Sequence, residues 1–204
     1  MEGKVMEARV LFRTDKASRQ RWLTERRLGI GGSDASVIAG FNKYRTAFDL
    51  AADKRGLLQD ETVENEAMTW GHDLELVIAQ KFAKQTNLAV VAWPVMLENI
   101  ERPWQRANVD FFIVEGGNFE RGKVTVFDDD WETLKGITAI LEVKTTGIAS
   151  RGNAQGWADD SVPIEYEFQG LHYTCVLGAG INHVYFAALV PPFGLQIRER
   201  TYTA

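Results

Sequence analysis

The chain has 204 residues, 45% hydrophobic and 25% charged, which is enough for one globular domain with a sizeable core and excludes disordered and fibrous classes. No run of ~20 apolar residues is present to span a bilayer, and the charges at Glu2, Lys4, Glu7 and Arg9 interrupt any signal-peptide core. A soluble, cytoplasmic protein without a membrane partner is expected. The lone Cys175, with His72, His172 and His183, offers no zinc or iron–sulfur spacing, so any metal must be held by oxygen. The net charge of −5 conceals an asymmetry: residues 1–60 carry 12 Lys and Arg against 8 Asp and Glu, residues 61–204 carry 11 against 20. That division suits phosphate contacts on one side and a cation site on the other, although an unevenly charged surface reads the same way.

No repeat, low-complexity tract or linker divides the sequence, so a single domain over residues 1–204 is expected. The first helix is predicted over residues 19–26, containing Trp22 and Leu23, and the second over residues 34–39. Between them runs Arg26-Arg27-Leu28-Gly29-Ile30-Gly31-Gly32-Ser33-Asp34-Ala35-Ser36. Its glycines let the backbone bend closely, Ser33 is a candidate N-cap, and Arg26 or Arg27 stands alongside, which together make a seat for an anion such as phosphate. A P-loop would need a closing Gly-Lys-Ser/Thr and a dinucleotide fold a preceding strand; neither is present. A plain capped helix start is the alternative reading.

Further helices are predicted over residues 47–54 and 65–85. In the second, Gly71, Glu75, Ile78 and Phe82 fall at helical spacing, placing Glu75 on the apolar face, either as an ion-pair partner of a buried Arg or as a metal or metal-water ligand. Strands are predicted over residues 88–96, 107–114, 123–127, 137–143, 183–189 and 195–202, with one helix over residues 163–177 that starts with a proline suited to its first turn. This order predicts an α/β or α+β fold with helices packed on a mostly antiparallel sheet.

The sharpest chemical feature is Leu141-Glu142-Val143-Lys144. Strand alternation puts Ile140, Glu142 and Lys144 on one face and Leu141 and Val143 on the other. Upstream, Asp110 opens the apolar run Phe111-Phe112-Ile113-Val114, where an unpaired carboxylate is costly. An Asp on one strand beside Glu-x-Lys on its neighbour makes an oxygen cluster suited to Mg²⁺ or Mn²⁺, with a lysine to stabilise a developing phosphorane or orient water. Glu-x-Lys is also a common surface ion pair, so other positions must bear on it. Gln169 and Tyr173, four apart with Tyr166 and His172 on nearby faces, add a polar row looking back at this cluster.

Taken in order, Trp22 with Arg26-Arg27 and Gly29 to Ala35, the Gly71-to-Glu75 helix, Asn108-Val109-Asp110, Glu142-Val143-Lys144, and Pro163 through Tyr166 to Gln169 and Tyr173 resemble the YqaJ-like viral recombinase, or phage lambda exonuclease, family of PD-(D/E)xK nucleases. The resemblance implies a restriction-endonuclease-like core, a central mixed β-sheet flanked by helices. It implies that Asp110, Glu142 and the Val143 backbone carbonyl coordinate Mg²⁺, with Mn²⁺ able to substitute, that Glu75 is an outer or second-metal carboxylate, and that Lys144 is the catalytic lysine. Arg27 and Ser33, with Asn108, Gln169 and Tyr173, would bind the DNA and its 5′-terminal phosphate. The implied activity is 5′-to-3′ exonucleolytic hydrolysis of linear duplex DNA, leaving 3′ overhangs for recombination. Implied partners are DNA ends, a single-strand annealing protein and two further copies in a trimeric ring, in a bacterial host for a chain of phage or prophage origin.

Three features depart from that pattern. The 32 residues from Asp110 to Glu142 are long for a hairpin and include an acidic stretch, Asp128-Asp129-Asp130, expected as an exposed insertion that would repel DNA if it faced the channel. The motif's proline is absent directly before Asp110, where Val109 stands. The chain also stops at Ala204, soon after its last predicted strand, where relatives often continue into a further helix. A restriction- or repair-type endonuclease on the same core, and a non-catalytic DNA-binding relative, are the alternatives. Trp131 and Trp157, in predicted loops, either stack on unpaired bases or pack.

Overall fold

The computed structural model describes residues 6–58, 66–129, 134–146, 156–178 and 180–203. It opens with a strand the sequence reading did not expect, β1 (Ala8–Arg13), which pairs antiparallel with β3 (Val95–Asn99). Next comes α1 (Arg19–Arg27), where the Ser18 side chain accepts the Arg21 N–H at the N-terminus. Helix α2 (Gly32–Ile38) starts two residues before the expected position, because its N-cap is Gly31 rather than Ser33. The Asp34 carboxylate accepts the Gly31 N–H at 2.9 Å and closes the turn there, so Ser33 lies inside the helix. Helix α3 (Ala47–Lys54) is capped reciprocally by Thr46 and Asp49, and α4 (Glu66–Thr86) is the long helix predicted from its apolar periodicity.

Two predicted strands are each divided. Residues 88–96 become β2 (Ala89–Ala92) and β3, which lie in different sheets, because Pro94 has no N–H to continue a ladder. Residues 107–114 become β4 (Arg106–Ala107) and β5 (Phe111–Val114); at the break the Asp110 side chain takes the Val143 N–H. Strands β6 (Val124–Val126), β7 (Ile137–Thr145), β8 (His183–Val190) and β9 (Gly194–Thr201), and helix α5 (Ile164–Leu177), fall where expected.

The main sheet has six strands in the order β6-β2-β5-β7-β8-β9, with β2–β6 and β7–β8 parallel and the other pairs antiparallel. This is a mixed α/β architecture. Helix α4 covers one face, burying Ile78, Phe82 and Ala83 against Val90, Phe111, Ile113, Leu141 and Val143. The other face carries Phe112, Ile140 and Phe186 and is covered by α5, through Tyr173, Val176 and Leu177, and by the small sheet β1-β3-β4. Helix α2 packs on α5. The acidic segment after β6 is partly neutralised: Asp128 lies 3.0 Å from Arg13 and 3.5 Å from Lys16, while Asp130 falls outside the described residues. No described helix is long and apolar enough to cross a membrane.

Candidate active site

Strand register makes the centre of the site. Phe111 pairs with Leu141 and Phe112 with Ile140, so Asp110, one step before Phe111, stands opposite Glu142, and both side chains point to the α5 side of the sheet. Asp110 is half-buried and its Oδ2 accepts the Val143 N–H at 2.9 Å. Glu142 is fully buried; its Oε1 accepts from Lys144 Nζ at 2.5 Å and from Gln169 Nε2 at 2.5 Å. Glu75 is brought to the same place from α4, where it accepts from or pairs with His72 Nδ1 at 3.1 Å and is close enough to Asp110 for the two charges to repel.

The electrostatics follow from this crowding. Burial, and then the Asp110 and Glu75 charges, push Glu142 up to about 8 against the pull of Lys144. Burial raises Asp110 as well, with Lys144 and the Val143 N–H working the other way. Glu75 is raised by burial and by Asp110. Burial alone would lower Lys144, but Glu142 and Asp110 outweigh it, so its pKa is raised and the ammonium stays charged, with the Tyr166 ring 4.9 Å away.

Among the described residues no three His, Cys, Asp or Glu side chains already stand in a metal-holding arrangement, since Glu142 is turned onto Lys144 and Gln169. The donor chemistry nonetheless fits a hard divalent cation. Glu142 Oε2 is buried with no hydrogen-bond partner among the described residues, burial disfavours the charge of all three carboxylates, and the Asp110 charge further disfavours those of Glu75 and Glu142, a conflict that a cation among them would relieve.

Beside this cluster lies a cavity of about 130 Å³ whose wall includes Arg26, Gly31, Gly32, Ser33, Asn108 and Gln169. Arg26 Nη2 donates to Ser33 Oγ at 2.9 Å, and its guanidinium lies 5.0 Å from the centre of the Trp22 ring. Arg27, expected beside Ser33, is not among the residues of this wall and lies 3.6 Å from Asp53, because successive helix residues point about 100° apart. Asn108 lines the cavity and its backbone carbonyl accepts from Tyr173 Oη at 2.7 Å, while Gln169 Nε2 donates to the same Tyr173 oxygen at 2.8 Å. Burial raises Tyr173 well above its ordinary value, so it remains a phenol that donates.

Arg106, which the sequence reading missed, also lines this cavity, held by Glu25 at 2.9 Å and Glu98 at 3.6 Å. No local motif marks it, since both partners come from distant parts of the chain. Trp157 is settled as a packing residue: it is buried against Tyr166 with ring centres 6.0 Å apart. Trp131 lies outside the described residues.

A buried Asp/Glu/Lys cluster on a mixed sheet thus lies next to a cavity lined by Arg26 and Arg106. The chain belongs to the YqaJ-like viral recombinase domain family, whose model matches residues 21–180. It is 37% identical over 183 residues to the uncharacterized protein YqaJ of Bacillus subtilis (strain 168), covering 90% of this chain and 50% of that one, so it spans about half the length of that curated relative. Its fold is similar to that in the crystal structure of LHK-Exo in complex with dAMP, with a TM-score of 0.63 and 13% identity over 90% of this chain and 83% of the other. At that identity the likeness is one of fold.

Proposed function

We propose that this chain is a metal-dependent 5′-to-3′ exonuclease that hydrolyses phosphodiester bonds in linear double-stranded DNA. The observation that carries the reading is the sharing of Gln169 between two sites: it bonds Glu142 of the carboxylate cluster and lines the cationic cavity. A hydrolytic centre fixed beside a phosphate-sized seat suits a substrate recognised by its end. Membership of the viral recombinase family, and fold likeness to LHK-Exo, a protein crystallised in complex with dAMP, support this reading.

In this mechanism Asp110, Glu142 and the Val143 carbonyl hold Mg²⁺ or Mn²⁺, with Glu75 as an outer carboxylate. When bound, the ion supplies Lewis acidity at the scissile phosphate and a lower pKa for attacking water. Lys144 presents its ammonium to the charge that develops on phosphorus oxygens. Arg26 and Ser33 hold a 5′-terminal phosphate, which fixes the distance from the strand end to the bond cut. A single-strand annealing partner and a homotrimeric ring belong to the same reading.

The test is digestion, with Mg²⁺, of a linear duplex carrying a 5′-phosphate at one end and a 5′-hydroxyl at the other, beside closed circular DNA. Loss of the phosphorylated strand with the circle intact is expected. Cutting of the circle would establish an endonuclease instead. Lys144→Ala should lower the rate by ~10²–10³ with an unchanged melting temperature, and near-normal digestion by this variant would remove Lys144 from the mechanism.

A further inference from the structure

Gln169 is the side chain through which the two halves of the site communicate. Its amide nitrogen has two N–H groups; one is given to Glu142 Oε1 at 2.5 Å and the other to Tyr173 Oη at 2.8 Å. Among the described residues bonded to Glu142, it alone also lines the cavity beside Arg26 and Ser33. Glu142 Oε1 therefore already accepts two donors, Lys144 and Gln169, while Oε2 has none among the described residues. A cation that takes both oxygens of Glu142 must compete with the Gln169 amide for Oε1.

An anion in the cavity competes from the other side. It lies against Gln169 and offers strong acceptors to an amide with no unused N–H. Resting on the nuclease reading above, we infer that Gln169 couples the two sites: an anion in the cavity draws the Gln169 amide away from Glu142 and leaves that carboxylate free to hold a divalent cation. Because binding linkage is reciprocal, the cation must strengthen anion binding by the same factor. The consequence is discrimination. The carboxylate centre holds its cation more tightly when a phosphorylated end is seated, and more weakly while the Gln169 amide occupies Glu142 Oε1.

Binding measured without turnover tests this. Deoxyadenosine 5′-monophosphate carries a terminal phosphate and no phosphodiester bond to cut, and deoxyadenosine lacks the phosphate. Calorimetric titration of the full chain with Mn²⁺ should give a dissociation constant about tenfold lower with the monophosphate than with the nucleoside, within the 5- to 150-fold range of such couplings. Blank titrations of Mn²⁺ into the monophosphate correct for complexes in solution. Gln169→Met keeps the side-chain volume that packs against Gly32 but has no N–H. With its melting temperature checked against the wild type, it should bind Mn²⁺ more tightly in the absence of the monophosphate and show no enhancement on adding it.

Equal Mn²⁺ affinity with monophosphate and nucleoside in the wild type would overturn the coupling, as would a full enhancement surviving in Gln169→Met. In either case metal-dependent digestion of linear DNA would persist, so the nuclease reading would stand. Absence of Mn²⁺ binding together with absence of digestion would overturn both.

Discussion

Arg26 and Arg27 are adjacent in the last turn of α1, yet Arg26 bonds Ser33 in the cavity wall while Arg27 sits near Asp53 on α3. The sequence made the segment conspicuous without choosing between them, because the phase of a helix end depends on where its last turn docks. Glu142 and Asp110 were more legible, since a strand alternates faces at every residue and the carboxylates interrupt apolar runs. Arg106 was illegible, because Glu25 and Glu98 reach it from far along the chain. The two arginines separate in a prediction. Arg26→Ala should lose about 10- to 100-fold in preference for 5′-phosphoryl over 5′-hydroxyl ends, the worth of a charge-assisted bond. Arg27→Ala should keep that preference and lose at most ~1 kcal/mol of stability, as expected for a partly exposed pair. Competition between the two kinds of end measures the first and thermal melting the second. Equal preference in Arg26→Ala and the wild type would place the phosphate elsewhere.

The element that brings the two halves of the site together is α2 lying against α5. A Cβ on Gly32 would stand 2.5 Å from Tyr173 Cε1 and 2.9 Å from Gln169 Cγ. Tyr173 has no room to yield, since it is buried and bonded to the Asn108 carbonyl and Gln169. Gly32→Ala should therefore cost about 1–3 kcal/mol through overpacking, lower the melting temperature by roughly 3–10 °C, and weaken monophosphate binding at the cavity. An unchanged melting curve would mean the helices do not meet this closely. The same helix supplies a pH dependence. His172 on α5 is buried with Nε2 donating to the Arg106 carbonyl at 3.0 Å, and burial lowers its pKa below the ordinary 6.5. The fold thus favours neutral imidazole: this contribution is intact above pH ~6.5 and is lost as pH falls through the lowered value. His172→Gln should flatten the decline in melting temperature from pH 7 to pH 5; a decline as steep as that of the wild type would assign the acid sensitivity to other groups. Elements with strong periodicity, such as α4 and α3, were readable from the sequence. The divided strands were not, because the break at Pro94 and the Asp110-to-Val143 bond become visible only with the second sheet and the partner strand in place.

At the scale of the molecule, the six-stranded sheet and its two covering layers supply the burial that makes the site expensive. The α4 face and the α5 face are both apolar, and between them Glu142 is fully buried, Asp110 half-buried and Glu75 raised by the same desolvation. A fold optimised for stability alone would not hold three carboxylates there, which is why the cluster was conspicuous even in the sequence. Without metal the protein carries this conflict as lost stability, so Glu142→Gln, which removes one acidic group, should melt no lower than the wild type in the presence of a chelator. A divalent ion held as proposed should reverse the order. At about a hundredfold excess over its dissociation constant, Mn²⁺ should stabilise the wild type by ~2.7 kcal/mol, or roughly 5–10 °C in a domain of this size, as expected for an ion that the proposed site holds only in the folded chain. Glu142→Gln and Asp110→Asn should lose most of that increment while folding normally. Thermal melting of the three proteins across an Mn²⁺ series reads this directly. An equal rise in all three would show that the ion binds somewhere other than among these carboxylates, and the proposed mechanism would lose its centre.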